Sequence, residues 1–335
     1  MSWKGKQVFV TGADGFIGSH LAEALVQEGA AVTALAQYNS FDSHGWLDDL
    51  SGDVRSAINA VRGDVRDAHQ MRSLCQGKDV ILHLAALISI PYSYAAPSSY
   101  IDTNVSGTAN VLQAALEGGA KRVIQTSTSE VYGTAQTMPI SEDHPLQGQS
   151  PYSASKIAAD MMAEAFARSF ELPVVTLRPF NTFGPRQSER AIIASLIRQV
   201  LDPNCKEIRV GNLSPSRAFS FVSDTVAAFL AAAEMNVKNN NYGRAFNAGT
   251  DRMVSIGTLL KIILTSAESK KPVVQEKIRF RPEDSEIMAL IADSSALHAA
   301  SGWSPAVTLE DGISRCIDWW RGRIDQVRPE QSYIV

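Results

Sequence analysis

The chain has 335 residues, of which 45% are hydrophobic and 20% are charged, and its formal net charge is −4. These ordinary globular values give no reason to expect nucleic acid or an anionic membrane as a partner. No apolar run approaches the roughly 20 residues of a membrane-spanning helix, and the segment before the first predicted strand lacks a signal-peptide pattern. Three scattered cysteines form neither a metal pattern nor a disulfide framework, so we expect buried thiols, no metal and a reducing cytoplasm.

A glycine-rich loop follows the first predicted strand. Residues 7–11 are apolar, Gly12, Gly15 and Gly18 follow, and residues 19–26 have helical periodicity. In a dinucleotide site the first glycine allows a tight turn, the second a close approach to the pyrophosphate, and the third close helix–strand packing. Free N–H groups at the start of the helix then bind phosphate. The loop predicts such a site, with one residue more between the first two glycines than in the common fingerprint.

Further apolar strands alternate with helices along the first half of the chain. The predicted strands are 31–35, 57–64 with its exit loop, 79–84, 122–127 and 174–178, and two of the predicted helices are 103–118 and 151–170. This alternation predicts an α/β fold with a doubly wound parallel Rossmann sheet. Ligands of such sheets bind beyond the carboxyl ends of the strands, where Thr11, Asp64, Ala85, Thr126 and Pro179 lie.

The pattern becomes less regular after about residue 180, where polar loops rich in Arg and Pro appear. We therefore expect a dinucleotide-binding domain over residues 1–180. A smaller mixed α/β lobe over residues 181–330 is expected to close over the sheet and bind the substrate.

Tyr152 and Lys156 stand at the start of the helix predicted over 151–170. Pro151 suits the first helical position and Ser150 can cap it. Residues four apart share one helix face, so the phenol and the ammonium point into the same space. A nearby cation favours the ionised phenol, which predicts a general base near neutral pH. Following a nucleotide loop and the segment 126–130, the pair indicates a catalytic site rather than two surface residues.

With these residues assembled, the chain resembles an extended short-chain dehydrogenase/reductase acting on nucleotide sugars, over about residues 5–322. The resemblance is carried by the glycine loop and by 63–65, 83–86, 104–105, 126–133, Tyr152–Lys156, 178–181 and 183–186. It implies that Asp64 contacts the adenine and that Ala85 and Ala86 line the cofactor cleft. The full implied set of cofactor-binding residues is Gly12, Gly15, Phe16, Ile17, Gly18, Asp64, Val65, Leu84, Ala85, Ala86, Asn104, Thr126, Tyr152, Lys156 and Pro179.

The resemblance also implies a site for the sugar diphosphate. Asn181 and a later arginine hold this group in the family, and the matching arginine here is Arg217, followed by Ala218 where the family usually has Asp. Arg186 and Arg281 complete the expected substrate-binding set. Asn181 and Arg217 as loop-holding residues, and Arg281 as a surface charge, are the alternatives.

Residues 127–133 are similar to the corresponding segment of a sugar 4,6-dehydratase. Epimerases of the superfamily generally lack the acid that matches Glu130. Residues 38–41, 143–152 and 281–286 resemble the dehydratase of legionaminic acid biosynthesis, which acts on GDP-N-acetylglucosamine. Ser129-Glu130 matches GDP-mannose dehydratases, whereas many dTDP-glucose dehydratases have Asp-Glu. The resemblance therefore implies a 4-keto-6-deoxy sugar nucleotide as the product, made from a GDP-sugar or a related hexose.

The implied chemistry assigns five catalytic residues. Tyr152 takes the proton of the C4 hydroxyl, Lys156 stabilises the phenolate, and Thr128 hydrogen-bonds the C4 oxygen. Glu130 removes the C5 proton before water leaves from C6, and either Glu130 or Ser129, through a water, protonates the leaving hydroxyl. The alternative for Glu130 is a strand-end carboxylate paired to a cation, and we expect His83 to be a hydrogen-bonded core histidine rather than a base.

The choice of cofactor depends on the end of the second strand, where an acid would bond the ribose 2′-hydroxyl of NAD. Residues Ala36, Gln37 and Tyr38 supply neither an acid nor a cation. We predict NAD because the legionaminic-type relatives are associated with it, and NADP stays open.

Two rival functions remain. One is a UDP-sugar 4-epimerase or decarboxylase that uses the same Tyr–Lys pair, and the other is a dinucleotide-binding protein without catalysis, since a fold alone does not establish activity. Relatives are often homodimers built from the helices predicted over 103–118 and 151–170, and we expect the same here.

Overall fold

Strands and helices alternate through most of the described chain. The computed structural model describes residues 2–236, 242–276 and 289–326. Its strands are β1 (Gln7–Thr11), β2 (Ala31–Gln37), β3 (Ile58–Gly63), β4 (Val80–His83), β5 (Arg122–Thr126), β6 (Val174–Pro179), β7 (Thr182–Phe183), β8 (Ile208–Val210), β9 (Ser216–Ala218), β10 (Ser220–Phe221), β11 (Ala245–Ala248), β12 (Met253–Ser255), β13 (Val273–Gln275) and β14 (Ala289–Leu290). Its α-helices are α1 (Phe16–Gln27), α2 (Gly52–Ala57), α3 (Ala68–Cys75), α4 (Ile90–Ala95), α5 (Pro97–Tyr100), α6 (Gly107–Glu117), α7 (Pro151–Phe170), α8 (Ile192–Leu201), α9 (Val222–Glu234), α10 (Ile256–Ser266), α11 (Ser295–Ser301) and α12 (Leu309–Arg321).

A seven-stranded sheet forms the centre of the molecule, in the order β11-β6-β5-β4-β1-β2-β3. Every pair of neighbouring strands is parallel. This arrangement confirms the predicted doubly wound α/β sheet, and each of the six strands predicted from apolar runs is present. The seventh strand, β11, comes from the chain after residue 180 and pairs with β6.

Alternate residues of each central strand face opposite layers of helices. On β1, Val8 and Val10 pack with Leu25 of α1 and Phe229 of α9 in one hydrophobic cluster. Phe9 faces the other way and joins the cluster formed with α3, α6 and α7. Because both faces are buried, every position of a central strand favours an apolar side chain, which is why the strands appear in the sequence as continuous apolar runs.

The sheet has its topological switch point between β1 and β4. The chain passes from β1 through α1 to β2 on one side, and later returns to β4 on the other side of β1. Thr11 at the end of β1 lies beside Leu35 of β2 and His83 of β4. A crevice at the carboxyl ends of strands that diverge in this way is where open α/β sheets bind their ligands.

Helix α7 begins and ends where the sequence predicts. The Ser150 hydroxyl accepts a hydrogen bond from the Ser153 N–H at 3.0 Å, and Pro151 occupies the first turn. The prediction of one helix over 103–118 is only partly right, since α6 is preceded by a π-helical turn, Ile101–Ser106. That wider turn carries Asn104, whose amide bonds the loop after β4.

The chain after residue 180 forms small sheets and helices beside the main sheet. β12, β9 and β14 make a sheet with both antiparallel and parallel pairing, and β7 with β10 and β8 with β13 make two shorter ones. Helices α8, α10 and α12 pack against one another, and Trp319 stacks edge-on with Trp320 at 5.1 Å between ring centroids. These elements match the predicted mixed α/β lobe, whereas the proposed boundary at residue 180 stays a prediction.

The described residues also bear on the cysteines, on membrane-spanning helices and on metal sites. All three cysteines, Cys75, Cys205 and Cys316, are free and buried, as predicted. None of the described helices has the length and apolar character that crossing a membrane requires. In the same part of the chain, no group of three or more His, Cys, Asp or Glu side chains is placed to hold a metal ion.

Candidate active site

The glycine loop brings β1, α1 and the segment after β4 into contact that only glycine permits. A Cβ on Gly12, whose φ is +66°, would lie 2.7 Å from the Ala85 nitrogen, and a Cβ on Gly18 would lie 2.1 Å from the Gly12 oxygen. No side chain caps the start of α1, which begins directly after Gly15. The uncapped N–H groups and the open backbone of this loop fit the diphosphate of a dinucleotide.

His83 organises the neighbouring strand end as a neutral core residue. The Thr11 hydroxyl oxygen accepts hydrogen bonds from the Leu84 and Ala85 N–H groups, both at 3.1 Å, so its own proton goes to His83 Nδ1 at 2.7 Å. His83 Nε2 therefore carries the ring proton and donates to the Thr108 hydroxyl at 3.1 Å. Burial, with the nearby charge of Lys156, lowers the pKa of His83 to about 3. The prediction of a hydrogen-bonded core histidine is confirmed.

Asp64 lies at the end of β3 and is held by its neighbour. Arg66 donates to both carboxylate oxygens, with Nε at 3.0 Å from Oδ1 and Nη2 at 2.5 Å from Oδ2. This hydrogen bonding holds the pKa of Asp64 below its usual value. Val65 is buried against the start of α6, where a Cβ on Gly107 would lie 2.7 Å from it. The predicted contacts of Asp64 and Val65 with a cofactor stay predictions.

Tyr152 and Lys156 are both buried on α7, with 7% and 4% of their surfaces exposed. Lys156 Nζ donates to the main-chain oxygen of Thr126 at 2.7 Å, which ties α7 to the end of β5. Burial lowers the pKa of Lys156 to about 8, and the charge of Asp160 opposes this shift.

The pKa of Tyr152 corrects one expectation from the sequence. Burial raises the pKa of the phenol, and a hydrogen bond with Thr128 lowers it by less. The spacing of Tyr152 and Lys156 suggested a lowered pKa, but spacing carries no information on how deeply the phenol is buried. The protein therefore holds Tyr152 as a neutral phenol.

Thr128 hydrogen-bonds that phenol, and Glu130 lies near enough to act on it through its charge. Thr128 caps a short 3₁₀ turn, Ser129–Tyr132, by accepting from the Glu130 N–H at 3.3 Å. The negative charge of Glu130 raises the pKa of Tyr152, so the carboxylate and the phenol interact. The turn buries Ser129. The structure thus brings together Thr128, Glu130 and Tyr152, which the sequence analysis named as catalytic.

Behind these residues lies a buried polar network that was not predicted from the sequence. Asp160 accepts a hydrogen bond from the Ser127 hydroxyl at 2.8 Å and from Arg178 Nε at 3.1 Å. Arg178 Nη1 donates to the Tyr132 hydroxyl at 2.9 Å, and that hydroxyl donates to Asn247 Oδ1 at 2.7 Å. A signal was present, because Asp160 stands four residues after Lys156 and therefore on the same helix face.

Asn104 joins the loop after β4 to the catalytic helix. Its Oδ1 accepts from the Leu87 N–H at 2.8 Å, and its Nδ2 donates to the Leu87 oxygen and to the Ser155 hydroxyl, both at 2.9 Å. Leu87 directly follows the predicted cofactor-binding residues Leu84–Ala86, so Asn104 positions that segment against α7. Phe16 and Ile17 begin α1 and pack against the core.

The predicted substrate-binding residues that the structure describes contact different elements. Asn181 Nδ2 donates to the oxygen of Ala218 at 3.3 Å, which puts Asn181 next to β9 and Arg217. The Arg186 guanidinium pairs with Glu23 of α1, with Nη2 at 2.7 Å from the carboxylate, and the φ of Arg186, +67°, is uncommon for a side-chain-bearing residue. Arg281 lies outside the described residues. Pro179 ends β6 beside Ala248.

Comparison with known proteins agrees with this geometry. Residues 9–316 match the model of the family described as GDP-mannose 4,6 dehydratase. A UDP-N-acetyl-alpha-D-glucosaminuronate decarboxylase of Bacillus cytotoxicus is 33% identical, over 94% of this chain and 98% of its own. A UDP-N-acetylglucosamine 4-epimerase of Methanobrevibacter ruminantium, solved with UDP-N-acetylmuramic acid, has 30% identity and a TM-score of 0.86, covering 97% of this chain and 100% of its own.

A third similar protein is a dTDP-glucose 4,6-dehydratase of Streptomyces venezuelae, solved with NAD and TYD. It has 27% identity and a TM-score of 0.83, and the match covers 95% of this chain and 98% of that one. Dehydratase, epimerase and decarboxylase are thus three activities of proteins that share this architecture. The chain belongs to the GDP-mannose 4,6 dehydratase family, within the extended short-chain dehydrogenases/reductases that act on nucleotide sugars.

Proposed function

We propose that the protein is a nucleotide-sugar 4,6-dehydratase that makes a 4-keto-6-deoxy sugar nucleotide. One observation carries the proposal: the carboxylate of Glu130, the hydroxyl of Thr128 and the phenol of Tyr152 interact at the carboxyl end of the parallel sheet. Oxidation at C4 needs a base at the C4 hydroxyl, and elimination needs a second base at the neighbouring C5. A phenol and a carboxylate that interact electrostatically at one site supply both.

The cofactor is NAD, which is bound in the similar dehydratase of known structure. Gly12, Gly15 and Gly18 leave the backbone open for its diphosphate, and the uncapped start of α1 offers N–H groups to the phosphate oxygens. When bound, NAD supplies the hydride acceptor for C4 and the hydride that returns to C6, so its redox state is unchanged at the end.

The side chains divide the remaining chemistry. Tyr152 takes the proton of the C4 hydroxyl while Thr128 hydrogen-bonds the C4 oxygen. Burial works against the phenolate, so this step depends on nearby positive charge, and Lys156 is the ammonium one turn along α7. The C4 ketone acidifies the C5 proton, which Glu130 removes, and the C6 hydroxyl leaves as water. The leaving hydroxyl takes its proton from Glu130 or, relayed by a water, from Ser129. As hydride adds to C6, C5 regains a proton, which offsets the one that Tyr152 took from the C4 hydroxyl.

The proposed substrate is GDP-N-acetylglucosamine, as in the legionaminic acid pathway. The support is the Ser129-Glu130 pair and the similar segments 38–41 and 143–152. In this proposal Asn181 and Arg217, which the structure brings close together, hold the diphosphate. Arg186 pairs with Glu23 of α1, and we propose that it holds the side of the diphosphate that faces the glycine loop.

Incubation of the protein and NAD⁺ with a panel of GDP-, UDP- and dTDP-hexoses and UDP-hexuronic acids tests the proposal. Loss of one water from the mass of a GDP-sugar is the expected result. A product of unchanged mass identifies a 4-epimerase, and loss of carbon dioxide from a uronic acid identifies a decarboxylase, the activity of the 33% identical relative. No product from any sugar would indicate a dinucleotide-binding protein without catalysis.

Replacement of Glu130 separates oxidation from elimination. Glu130→Gln should leave NADH formation in the first turnover intact and lower dehydration by about 10²–10⁴-fold, the usual contribution of a general acid or base. Glu117→Gln, on the exposed surface of α6, is the matched control and should react normally. Full dehydration by Glu130→Gln would show that another group removes the C5 proton.

We also propose a homodimer formed through α6 and α7. On α7, Met161 and Phe170 are 45% and 53% exposed, although the opposite face of the helix is buried in the protomer. Light scattering of the purified protein should give twice the mass of the chain, and Met161→Lys should lower it. A monomeric wild-type protein would contradict this assembly.

A further inference from the structure

The residue that selects the dinucleotide does not stand at its usual position in this structure. Selectivity for NAD normally comes from an acid at the end of the second strand, which accepts hydrogen bonds from the ribose hydroxyls. Gln37 ends β2, and neither it nor the flanking Ala36 and Tyr38 is acidic. The usual position therefore does not distinguish a ribose 2′-hydroxyl from a 2′-phosphate.

A carboxylate from another element occupies that place. Asp14, in the middle of the glycine loop, accepts a hydrogen bond from the Gln37 N–H through Oδ2 at 3.1 Å. The backbone of the loop is fixed there by two hydrogen bonds. The Ala13 N–H donates to the main-chain oxygen of Leu35 at 3.1 Å, and the Trp46 N–H donates to the main-chain oxygen of Asp14 at 3.0 Å. Parallel pairing of β1 with β2 thus brings residue 14 beside residue 37.

Asp14 also faces an open cleft of a suitable size. A cleft of about 420 Å³ opens at this end of β2, and its lining residues are Asp14, Gln37, Tyr38, Asn39, Phe41, Ser43 and Gly45. Small-molecule sites commonly have volumes of this order. Tyr38 and Phe41 are 71% and 87% exposed at the cleft, which offers apolar rings to a purine beside the polar group that would meet its ribose.

We propose that Asp14 is the residue that reads the adenosine ribose and selects NAD over NADP. Its carboxylate accepts from the 2′-hydroxyl, and its negative charge repels a 2′-phosphate. The two carboxylate oxygens of Asp14 have further lone pairs besides the one that accepts from the Gln37 N–H. Asp14 can therefore bond Gln37 and the ribose at the same time. The inference rests on the proposed use of a dinucleotide and assigns its selectivity to a residue outside the usual position.

The charges around the cleft agree with this assignment. Arg62 of β3 lies opposite Ala36 in the sheet, but its guanidinium is ion-paired with Asp42 and donates to the Asp42 oxygen at 2.9 Å. That pairing neutralises a cation that would otherwise attract a 2′-phosphate. Burial raises the pKa of Asp14, so its charged form gains from any further hydrogen-bond donor, such as a ribose hydroxyl.

Binding of NAD⁺ and NADP⁺ to the apoprotein, measured by isothermal titration calorimetry, tests the proposal without any activity assay. Wild type should bind NAD⁺ more tightly. Asp14→Asn keeps an oxygen for the Gln37 N–H but removes the charge. Because a hydrogen bond to a charged group is worth about 10–100-fold in affinity, the NAD⁺ preference of Asp14→Asn should fall by at least about tenfold. Asp14→Ser, the second neutral variant, should behave in the same way.

Asp53→Asn is the matched control, since it removes the same charge from an exposed position on α2, outside the cleft lining. It should keep the wild-type preference. An unchanged preference in folded Asp14→Asn or Asp14→Ser, including an equal loss of affinity for both dinucleotides, would overturn the role of Asp14. If wild type bound neither dinucleotide, the proposed cofactor itself would be overturned. If wild type preferred NAD⁺ and the Asp14 variants kept that preference, only the role of Asp14 would be overturned.

Discussion

Removal of the buried charge of Asp160 should destabilise the protein far more than removal of an exposed one. Asp160 and Arg178 have side chains only 2% and 5% exposed, and Arg178 Nη2 lies 3.1 Å from Asp160 Oδ2. Asp160→Asn keeps an acceptor for the Ser127 hydroxyl but leaves the Arg178 guanidinium without a counter-ion. Breaking a buried pair in this way costs about 3–5 kcal/mol, and the retained bond places the expected loss near the lower value.

Urea unfolding of wild type, Asp160→Asn, Arg178→Met and the double variant measures this cost. Since the double variant leaves neither member of the Asp160–Arg178 pair charged without the other, its destabilisation should be smaller than the sum of the single ones by at least about 1 kcal/mol. Asp311→Asn is the control, because Asp311 forms an exposed pair with Arg315 one turn along α12. Such helix-surface pairs contribute about 0.3–0.5 kcal/mol.

The same substitution should also change the chemistry through Lys156. The charge of Asp160 raises the pKa of Lys156 against the effect of burial. Its loss should therefore move the alkaline limb of the dehydration rate to lower pH, a change that a purely structural defect would not produce. A loss of stability below about 1 kcal/mol for Asp160→Asn, or strictly additive single variants, would refute the view of Asp160 and Arg178 as a coupled buried pair.

Two further predictions concern the glycine loop and Lys156. Gly18→Ala places a Cβ 2.1 Å from the Gly12 oxygen, so NAD⁺ binding measured by calorimetry should be lost. Gly52→Ala, whose Cβ meets no atom within 4 Å, is the control and should bind NAD⁺ normally. Normal binding by Gly18→Ala would contradict the close contact. Burial lowers the pKa of Lys156 from 10.5 to about 8, so the unfolded chain binds more protons between these pH values and stability rises there with pH. Relative to Lys156→Met, the unfolding free energy of wild type should increase by about 3 kcal/mol from pH 8 to pH 10.5, and a difference that does not change with pH would argue against a buried ammonium.

The sequence by itself determined those features that depend on neighbours along the chain. Apolar runs predicted the six strands of the first half, and Ser150 with Pro151 predicted the first turn of α7, because strand burial and helix capping involve residues a few positions apart. The glycine spacing predicted the loop for the same reason. Spacing also predicted that Tyr152 and Lys156 share a helix face.

Tertiary structure alone decided what depends on burial and on contacts between distant segments. It reversed the expected direction of the Tyr152 pKa shift, because the cost of burying a charge depends on everything packed around the phenol. It joined Ser127, Asp160 and Arg178 into one network. It also placed Asp14 beside Gln37, 23 residues away in the chain, because β1 and β2 pair in parallel. Charge and hydrogen bonding act through space, and the position of one residue relative to another in space is what the sequence does not state.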